Sequence, residues 1–161
     1  MTSTEERLQR LEDQLAIYQA VCGYSYAVDG LNAEALGGLI APNGVYVVGD
    51  LARMEGREAI SNIARSDGQR GLVAKGVAHV STLPYVVIEG DRAVATCHTM
   101  LAQNGDNGFF IGRLSASRIE LERQPDGSWQ IAHRENWMLQ GDERGPAILG
   151  RLNEGPATRA A

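Results

Sequence analysis

The strongest constraint on the fold is an apolar stripe in the N-terminal segment. The residues that recur there every three or four positions are Leu8, Leu11, Leu15, Tyr18, Cys22, Ser25 and Asp29. Apolar residues at this interval are typical of the buried face of an amphipathic helix. Ser3 and Glu6 form a capping box, so we predict a helix over residues 4–28. The stripe ends on the carboxylate of Asp29, which is costly to bury unless another group pairs with it.

The rest of the chain predicts two short helices and then mainly strands. We expect helices over 33–40 and 57–65, and strands over 45–48, 77–83, 85–88, 92–101, 109–123 and 129–139. Turn signals such as Glu89-Gly90-Asp91 join neighbouring strands as hairpins. Helices first and hairpin-linked strands afterwards indicate an α+β domain. We therefore expect a curved antiparallel sheet wrapped around the first helix, with a pocket at the C-terminal end of that helix.

The domain organisation follows from length and from a change in composition. The chain of 161 residues is long enough for one domain with a sizeable core, which we place at residues 1–140. Residues 141–161 are rich in Gly and Pro, so we predict an irregular tail. Its apolar anchor, Ala147-Ile148-Leu149, is expected to cover the mouth of the pocket or to dock at an interface.

Charge and composition exclude several classes of partner. The net charge of −5 argues against nucleic acid or an anionic membrane surface. No apolar run approaches the roughly 20 residues that a membrane span needs, and the charged N-terminus lacks the apolar segment of a signal peptide. We therefore expect a cytoplasmic protein. The two cysteines and the three histidines lack metal-ligand spacing, so we expect neither a metal nor another cofactor.

Four segments resemble one family when they are taken in order. They are YAVDGLN, GREAI, HVSTLPYVVIEGDRAVATCH and DGSWQIAHRENWML, and the likeness extends over about residues 5–140. In this order they resemble the SnoaL-like branch of the nuclear transport factor 2-like superfamily. The resemblance implies a conical α+β barrel with a central pocket, usually assembled as a dimer or trimer. The superfamily includes polyketide cyclases, scytalone dehydratase, hexachlorocyclohexane dehydrochlorinase, steroid isomerases and domains without catalysis.

Within that family, the resemblance to the dehydratases and dehydrochlorinases implies a catalytic dyad. Asp29 and His79 occupy the positions of the family's aspartate, at the end of the first helix, and of its histidine on a following strand. Histidine has an ordinary pKa near 6.5, so it can act as a base at neutral pH, and a paired carboxylate fixes its tautomer. The steroid isomerases use an aspartate on the first strand, and no acid lies in 45–48 here.

Several further residues are candidates for substrate contact. In the dehydrochlorinase an arginine on the last strand assists the leaving group; the matching position here is Asn136, with Arg134 two residues earlier. Tyr24 and Tyr46 are interpreted either as hydroxyl donors to an oxyanion or as core aromatics.

Two other candidates are ambiguous in sequence. His98 is a possible acid or substrate contact, but the alternation of its strand does not decide which face it lies on. Trp137 could shape an apolar cavity or simply pack in the core.

The leading hypothesis is a cofactor-independent lyase that dehydrates a hydrophobic cyclic or aromatic small molecule. In this hypothesis His79 removes a proton and Asp29 orients it. A cyclase, an isomerase or a carbon–carbon lyase would begin with the same proton abstraction. A non-catalytic ligand-binding or assembly module is the alternative from a different class. That module would be favoured by a separation of more than about 5 Å within the dyad, since proton transfer needs hydrogen-bond contact, or by a cavity filled with side chains.

Overall fold

A 26-residue helix, α1 (Thr4–Asp29), opens the fold in a computed structural model, which describes residues 2–157. Its N-terminus has the predicted capping box. The Ser3 hydroxyl accepts the backbone N–H of Glu6 at 3.1 Å, and the Glu6 carboxylate accepts the backbone N–H of Ser3 at 2.6 Å. These bonds satisfy two donors at the end of the helix, where intrahelical partners are lacking. The predicted helix is confirmed to within one residue at its C-terminal end.

The remaining elements are mostly strands. The helices are α2 (Ala33–Gly38), α3 (Arg57–Ser61), α4 (Asp67–Lys75) and α5 (Arg144–Gly150), with a 3₁₀ turn at Asn62–Arg65. The strands are β1 (Ile40–Val48), β2 (Ala52–Glu55), β3 (Val77–Ser81), β4 (Tyr85–Glu89), β5 (Arg92–Gly105), β6 (Gly108–Arg123) and β7 (Trp129–Met138). None of the helices in residues 2–157 is long and apolar enough to cross a membrane. Three elements have no counterpart among the predicted ones: α4, α5 and the strand β2.

The strands form one curved, unclosed sheet of seven strands in the order β2-β1-β7-β6-β5-β3. β4 also pairs with β5, next to β3. The sheet is mixed because β1 and β7 run parallel, whereas the other pairs are antiparallel. Helix α1 packs against its inner face, where it contacts β3 and β7. The prediction of an α+β fold with a curved sheet around a long N-terminal helix is confirmed.

The predicted buried face of α1 is wrong along the first half of the helix. Leu8, Leu11 and Leu15 are 56–63% exposed. The core is formed from another side of the helix, by Ile17, Ala20, Val21, Tyr24, Ala27 and Val28. This side contains small alanines, so it is less hydrophobic in sequence than the leucine stripe, and the periodicity selected the stripe instead.

Two groups of exposed apolar side chains lie close together in sequence. The leucines of α1 form one group, and Phe109, Phe110 and Ile111 in β6 form another, each residue more than half exposed. Clustered apolar surface of this kind is common at protein interfaces. A homo-oligomer stays a prediction.

The described part of the C-terminal tail packs on the outer face of the sheet. Ile148 in α5 is buried, and α5 contacts β6 and β7. Beyond it, Arg118 donates to the backbone carbonyls of Glu154 and Gly155 at 3.3 and 2.9 Å. Arg118 alternates with the core residue Ile119, so it lies on the face opposite α1.

The prediction of an irregular tail over 141–161 is therefore wrong at Arg144–Gly150, where a short helix forms because Ile148 has a surface to pack against. The described tail covers the outer face of the sheet and not the inner face beside α1, so it does not close a pocket there. Residues 158–161 of the predicted tail lie outside the described residues.

A buried carboxylate sets which side of α1 meets the sheet. Asp13 accepts two hydrogen bonds from the guanidinium of Arg123, at 2.6 and 2.7 Å, and one from the indole N–H of Trp129, at 3.1 Å. The same guanidinium lies 4.6 Å from the centre of the Trp129 ring. These hydrogen bonds lower the pKa of Asp13 from 3.8 to about 2. The helix is thereby tied to β6 and β7.

We expect Asp13→Asn to lower the free energy of unfolding by about 1–3 kcal/mol at pH 7, because Arg123 and Trp129 lose a charged acceptor. The folded-state pKa lies below the unfolded value, so this stabilisation is present above about pH 4 and is lost as the pH falls towards 2. Urea denaturation at several pH values measures it. The matched control is Glu12→Gln, an exposed acid on the same helix. An equal loss in both variants would contradict the role of Asp13.

Candidate active site

Asp29 and His79 form a close pair where α1 ends against the edge strand β3. The ring Nδ1 of His79 lies 2.5 Å from Oδ1 of Asp29. The backbone N–H of His79 also donates to Oδ2 of the same carboxylate, at 2.7 Å. Because one carboxylate holds both the ring and the backbone of His79, the position and the tilt of the imidazole are fixed. The structure thus brings together the two residues that the family resemblance pairs.

Gln69 supports this pair from α4. Its side chain is buried, and Nε2 donates to the carbonyl of Val28 at 3.3 Å and to Oδ1 of Asp29 at 3.4 Å. Ser66 caps α4 by accepting the backbone N–H of Gln69. Sequence analysis missed Gln69. The capping pattern Ser-Asp-Gly-Gln could have located α4, but no sequence pattern could show that the glutamine contacts Asp29.

The environment of His79 keeps its imidazole neutral at pH 7. A carboxylate can only accept, so Nδ1 carries the proton and Nε2 keeps its lone pair. No residue in 2–157 forms a hydrogen bond with Nε2. Burial lowers the pKa of His79 below 6.5; Asp29 opposes this shift, and Arg113 and Arg134 add to it. A neutral imidazole with a free Nε2 is the form that can remove a proton.

A β-bulge in β7 decides which side chains face His79. Glu120 pairs with His133 whereas Leu121 pairs with Ile131, so Ala132 is an extra residue in β7. The inner face of the strand therefore changes from odd to even positions along the chain. Trp129 and Ile131 are inward before the bulge, and Arg134 and Asn136 are inward and buried after it.

The bulge also corrects the prediction for Trp137. After Ala132 the odd positions of β7 lie on the outer face, where the Trp137 ring packs 4.6 Å from the guanidinium carbon of Arg144. Trp137 therefore does not shape the cavity. Simple alternation from Trp129 would have placed both tryptophans on one face, because a one-residue insertion is invisible to a period-two pattern.

A chain of hydrogen bonds crosses the wall opposite the dyad. Thr99 and Ser117 share a bond of 2.9 Å, and the Ser117 hydroxyl donates to Oδ1 of Asn136 at 2.7 Å. The Asn136 amide in turn donates to the Tyr46 hydroxyl oxygen at 2.9 Å. Because Tyr46 accepts this bond, its own O–H stays available as a donor.

Arg134 and Tyr24 complete that wall. The guanidinium carbon of Arg134 lies 4.0 Å from the centre of the Tyr24 ring and 5.3 Å from that of Tyr46. The two tyrosine rings pack edge to face, with their centres 5.7 Å apart. The structure therefore brings Tyr24, Tyr46, Arg134 and Asn136 together, and their contact with a substrate stays a prediction.

The space between the dyad and this wall is narrow. The cavity offers about 10 Å³, which is room for roughly one water molecule. Its lining residues are Tyr24, Ser25, Tyr46, His79, Val80, Ser81, Thr99, Met100, Arg113, Arg134 and Asn136. A ring-sized molecule therefore enters only if side chains at the rim move, and the half-buried Arg113 is a long, flexible side chain at this position. A wider cleft of about 1120 Å³ lies between α2 and α3, without a histidine among its described lining residues.

His98 is not part of this site. It pairs with Ala116 across β5 and β6, on the same face as Arg118, and its side chain is exposed on the outer side of the sheet. The expectation that His98 contacts substrate is wrong, because strand alternation turns it away from the neighbouring Cys97 and Thr99. Within residues 2–157, no three His, Cys, Asp or Glu side chains lie close enough together to hold a metal ion.

Comparison with known proteins gives a consistent result. Residues 9–135 match a SnoaL-like domain family. A nuclear transport factor 2-like protein with a cystatin-like fold from Novosphingobium aromaticivorans is 34% identical, with a TM-score of 0.87 over 92% of this chain and 98% of that chain. No curated protein shows significant sequence similarity to this chain.

Two more distant structures share the fold. A hexachlorocyclohexane dehydrochlorinase of Novosphingobium barchaimii is 17% identical and superposes with a TM-score of 0.70, over 84% of this chain and 96% of that one. A scytalone dehydratase-like protein of Novosphingobium aromaticivorans is also 17% identical, with a TM-score of 0.68 over 82% and 87% of the respective chains. At this identity the likeness concerns the fold alone.

We expect nuclear magnetic resonance to find the His79 ring protonated on Nδ1 at pH 7, with a pKa below 6.5. Asp29→Ala should lower that pKa further, because the carboxylate favours the charged imidazole. Nitrogen-15 shifts report the tautomer, and ring proton shifts followed over pH report the pKa. Asp50→Ala removes an exposed carboxylate as the matched control. A pKa above 6.5, or one that Asp29→Ala leaves unchanged, would contradict the described geometry.

Proposed function

Because this chain belongs to the SnoaL-like family, as its match over residues 9–135 shows, we propose that it is a cofactor-independent lyase. The family prediction from the sequence motifs is confirmed. The proposed reaction is an elimination, in the first instance a dehydration, on a hydrophobic cyclic or aromatic molecule. One observation carries the proposal: the ring of His79 lines the cavity and is held at 2.5 Å from Asp29, while Nε2 has no hydrogen-bond partner among residues 2–157.

The proposed mechanism uses the two ring nitrogens of His79 for different tasks. Nε2 removes a proton from a carbon beside an electron-withdrawing group, and the electron pair of that bond moves to form a double bond as the neighbouring hydroxyl departs. Asp29 accepts the Nδ1–H throughout and stabilises the imidazolium that forms. The imidazolium then returns its proton to the departing hydroxyl, which leaves as water. The histidine is thereby restored to its neutral form.

The opposite wall supplies donors for the charge that develops. The hydroxyl-bearing Tyr46 and the cationic Arg134 line the same cavity as His79. Preorganised donors of this kind stabilise an oxyanion or a leaving group in the transition state. Asn136 holds the Tyr46 hydroxyl at 2.9 Å and therefore acts as a positioning residue in this proposal.

Two proteins with a similar fold and names that indicate lyase activity are consistent with the proposed reaction class. The structural neighbours include the hexachlorocyclohexane dehydrochlorinase and the scytalone dehydratase-like protein. A cyclase, an isomerase or a carbon–carbon lyase would use the same first step, so the dyad does not separate these reactions. The fold by itself does not choose among them either.

A non-catalytic ligand-binding or assembly module is the second candidate function. The observation that favours it is the narrow cavity, which has room for roughly one water molecule. Such a module would bind a molecule without converting it. The dyad favours the lyase, because a half-buried histidine whose ring is oriented by an aspartate in direct contact is suited to act as a base, which simple binding does not need.

We expect His79→Ala and Asp29→Asn to reduce kcat by about 10²–10⁴-fold, the usual contribution of general-base catalysis. The assay follows the unsaturated product that forms when the substrate loses water or hydrogen halide. Chromatography separates this product and mass spectrometry identifies it. The substrates are a panel of cyclic β-hydroxy ketones, hydroxylated aromatic precursors and halogenated cyclohexanes. His133→Ala, a half-buried histidine outside the cavity, is the matched control. Full turnover by either dyad variant would contradict the proposal. Binding of these substrates by the unsubstituted protein without any conversion would favour the non-catalytic binding module.

The pH profile provides a separate check on the base. We expect kcat/KM to fall as the pH drops through the pKa of His79, which lies below 6.5. The charged groups that shift the pKa of this ring are Asp29, which contacts it, and Arg113 and Arg134, which line the cavity. Since Arg113 lowers the pKa, Arg113→Gln should move the acid limb of the profile to higher pH, whereas the exposed Arg53→Gln should not. An acid limb above pH 6.5, or one that does not move, would contradict this role of His79.

A further inference from the structure

Arg134 is a buried cation that lacks a carboxylate partner. Its residue is 3% exposed, and it forms no ion pair with any acid in residues 2–157. The carboxylate that contacts the cavity-lining His79, Asp29, is occupied by the ring and the backbone of that histidine. Buried charges in proteins are ordinarily paired, because removing a charge from water is costly. The charge of Arg134 is therefore left for a group that the described chain does not supply.

The hydrogen-bonding capacity of Arg134 points the same way. Nη1 is buried and has no hydrogen-bond partner in residues 2–157, while Nε makes one long bond of 3.4 Å to Asn136. The guanidinium carbon lies 4.0 Å from the centre of the Tyr24 ring, a cation–π contact that leaves Nη1 without a hydrogen-bond partner among residues 2–157. A planar edge with free N–H groups is suited to binding a carboxylate through two parallel bonds.

The tyrosines do not neutralise this cation. Burial raises the pKa of Tyr24 well above its ordinary value of 10, so the phenol stays neutral. A neutral ring offers its π electrons but no full negative charge. Tyr24 therefore does not neutralise the positive charge of Arg134 at pH 7.

The cavity as a whole is positively charged. Its described lining includes the cations of Arg113 and Arg134 and no carboxylate, in a protein with a net charge of −5. Asp29 contacts the ring of His79 but is not among the lining residues. The Ser81 hydroxyl also lines the cavity, buried and without a hydrogen-bond partner among the described residues. Arg134 and Ser81 line the same cavity, and each has a buried donor without a partner among residues 2–157, so together they form a built site for an anionic oxygen group.

We propose that the substrate is an organic acid, and that its carboxylate binds the free edge of Arg134, with Ser81 as a further donor. The carboxylate would anchor the molecule in the cavity that His79 lines, so the carbon next to it is presented to Nε2. This inference deepens the proposed lyase function, on which its catalytic consequence rests. The anion site itself does not depend on turnover.

The binding test uses simple carboxylates and their neutral isosteres as probes. Acetate, benzoate, acetamide and benzamide are titrated at constant ionic strength into ¹⁵N-labelled protein, and dissociation constants are taken from amide and arginine side-chain shifts. We expect each carboxylate to bind at least about tenfold more tightly than its amide, since a charge-assisted bidentate pair is stronger than a neutral one. The acetate pair also tests whether a small anion needs less rearrangement of the cavity than a ring does.

Variants assign the preference to Arg134. Arg134→Gln should abolish the tenfold difference and Arg134→Lys should retain part of it, while the exposed Arg53→Gln should leave it unchanged. Circular dichroism melting curves confirm that each variant folds. If Arg134→Gln is unfolded, Arg134→Lys and Arg113→Gln together carry the comparison, since both should weaken carboxylate binding and leave amide binding unaltered.

Four results would overturn the organic-acid proposal. They are equal binding of amides and carboxylates, a preference that survives Arg134→Gln, no detectable binding of either carboxylate, and chloride displacing acetate as effectively as benzoate does. The last result would indicate a halide site instead. His79→Ala should retain carboxylate binding, so loss of the lyase proposal in kinetic assays and loss of the anion site in titrations are distinguishable outcomes.

Discussion

The candidate site depends on the hydrogen bonds that the carboxylate of Asp29 accepts. It lies at the C-terminal end of α1, where the helix dipole disfavours a negative charge. The cost is offset by three donors, the ring and backbone N–H groups of His79 and the amide of Gln69. These bonds join α1, β3 and α4 at one point. The hydrogen bonds that stabilise the charged Asp29 at this position also fix the orientation of the His79 imidazole. The same contacts therefore stabilise the fold and position the proposed base.

A second constraint comes from the bulge at Ala132. Without the extra residue, Arg134 and Asn136 would lie on the opposite face of β7 from Trp129 and Ile131. With it, one strand first packs its aromatic end against Asp13 and Arg123, then turns polar side chains into the cavity. A single inserted residue thus separates the structural half of the inner face from the half that faces His79.

Some residues of the candidate site could be predicted from the sequence, and the others could not, for physical reasons that differ from residue to residue. The pairing of Asp29 with His79, fifty positions apart, followed from family resemblance, since no local pattern links a helix end to a distant strand. His98 was undecidable because both faces of β5 carry small or apolar residues. Gln69 went unnoticed because its role depends on a long-range contact. The leucine stripe on α1 predicts the wrong buried face, because a strongly apolar face need not be the buried one when smaller residues pack more closely.

The sequence by itself determined the α+β class, the capped N-terminal helix and most strands, because turn residues, caps and hydrophobic period act over a few neighbouring positions. It also carried the family motifs that identify Asp29 and His79. Only the tertiary structure decided which side of α1 is buried, which face of β7 meets the cavity, and that Arg134 is buried without a carboxylate partner among the described residues. Those outcomes depend on packing between distant segments and on one inserted residue, and neither leaves a periodic trace in the chain.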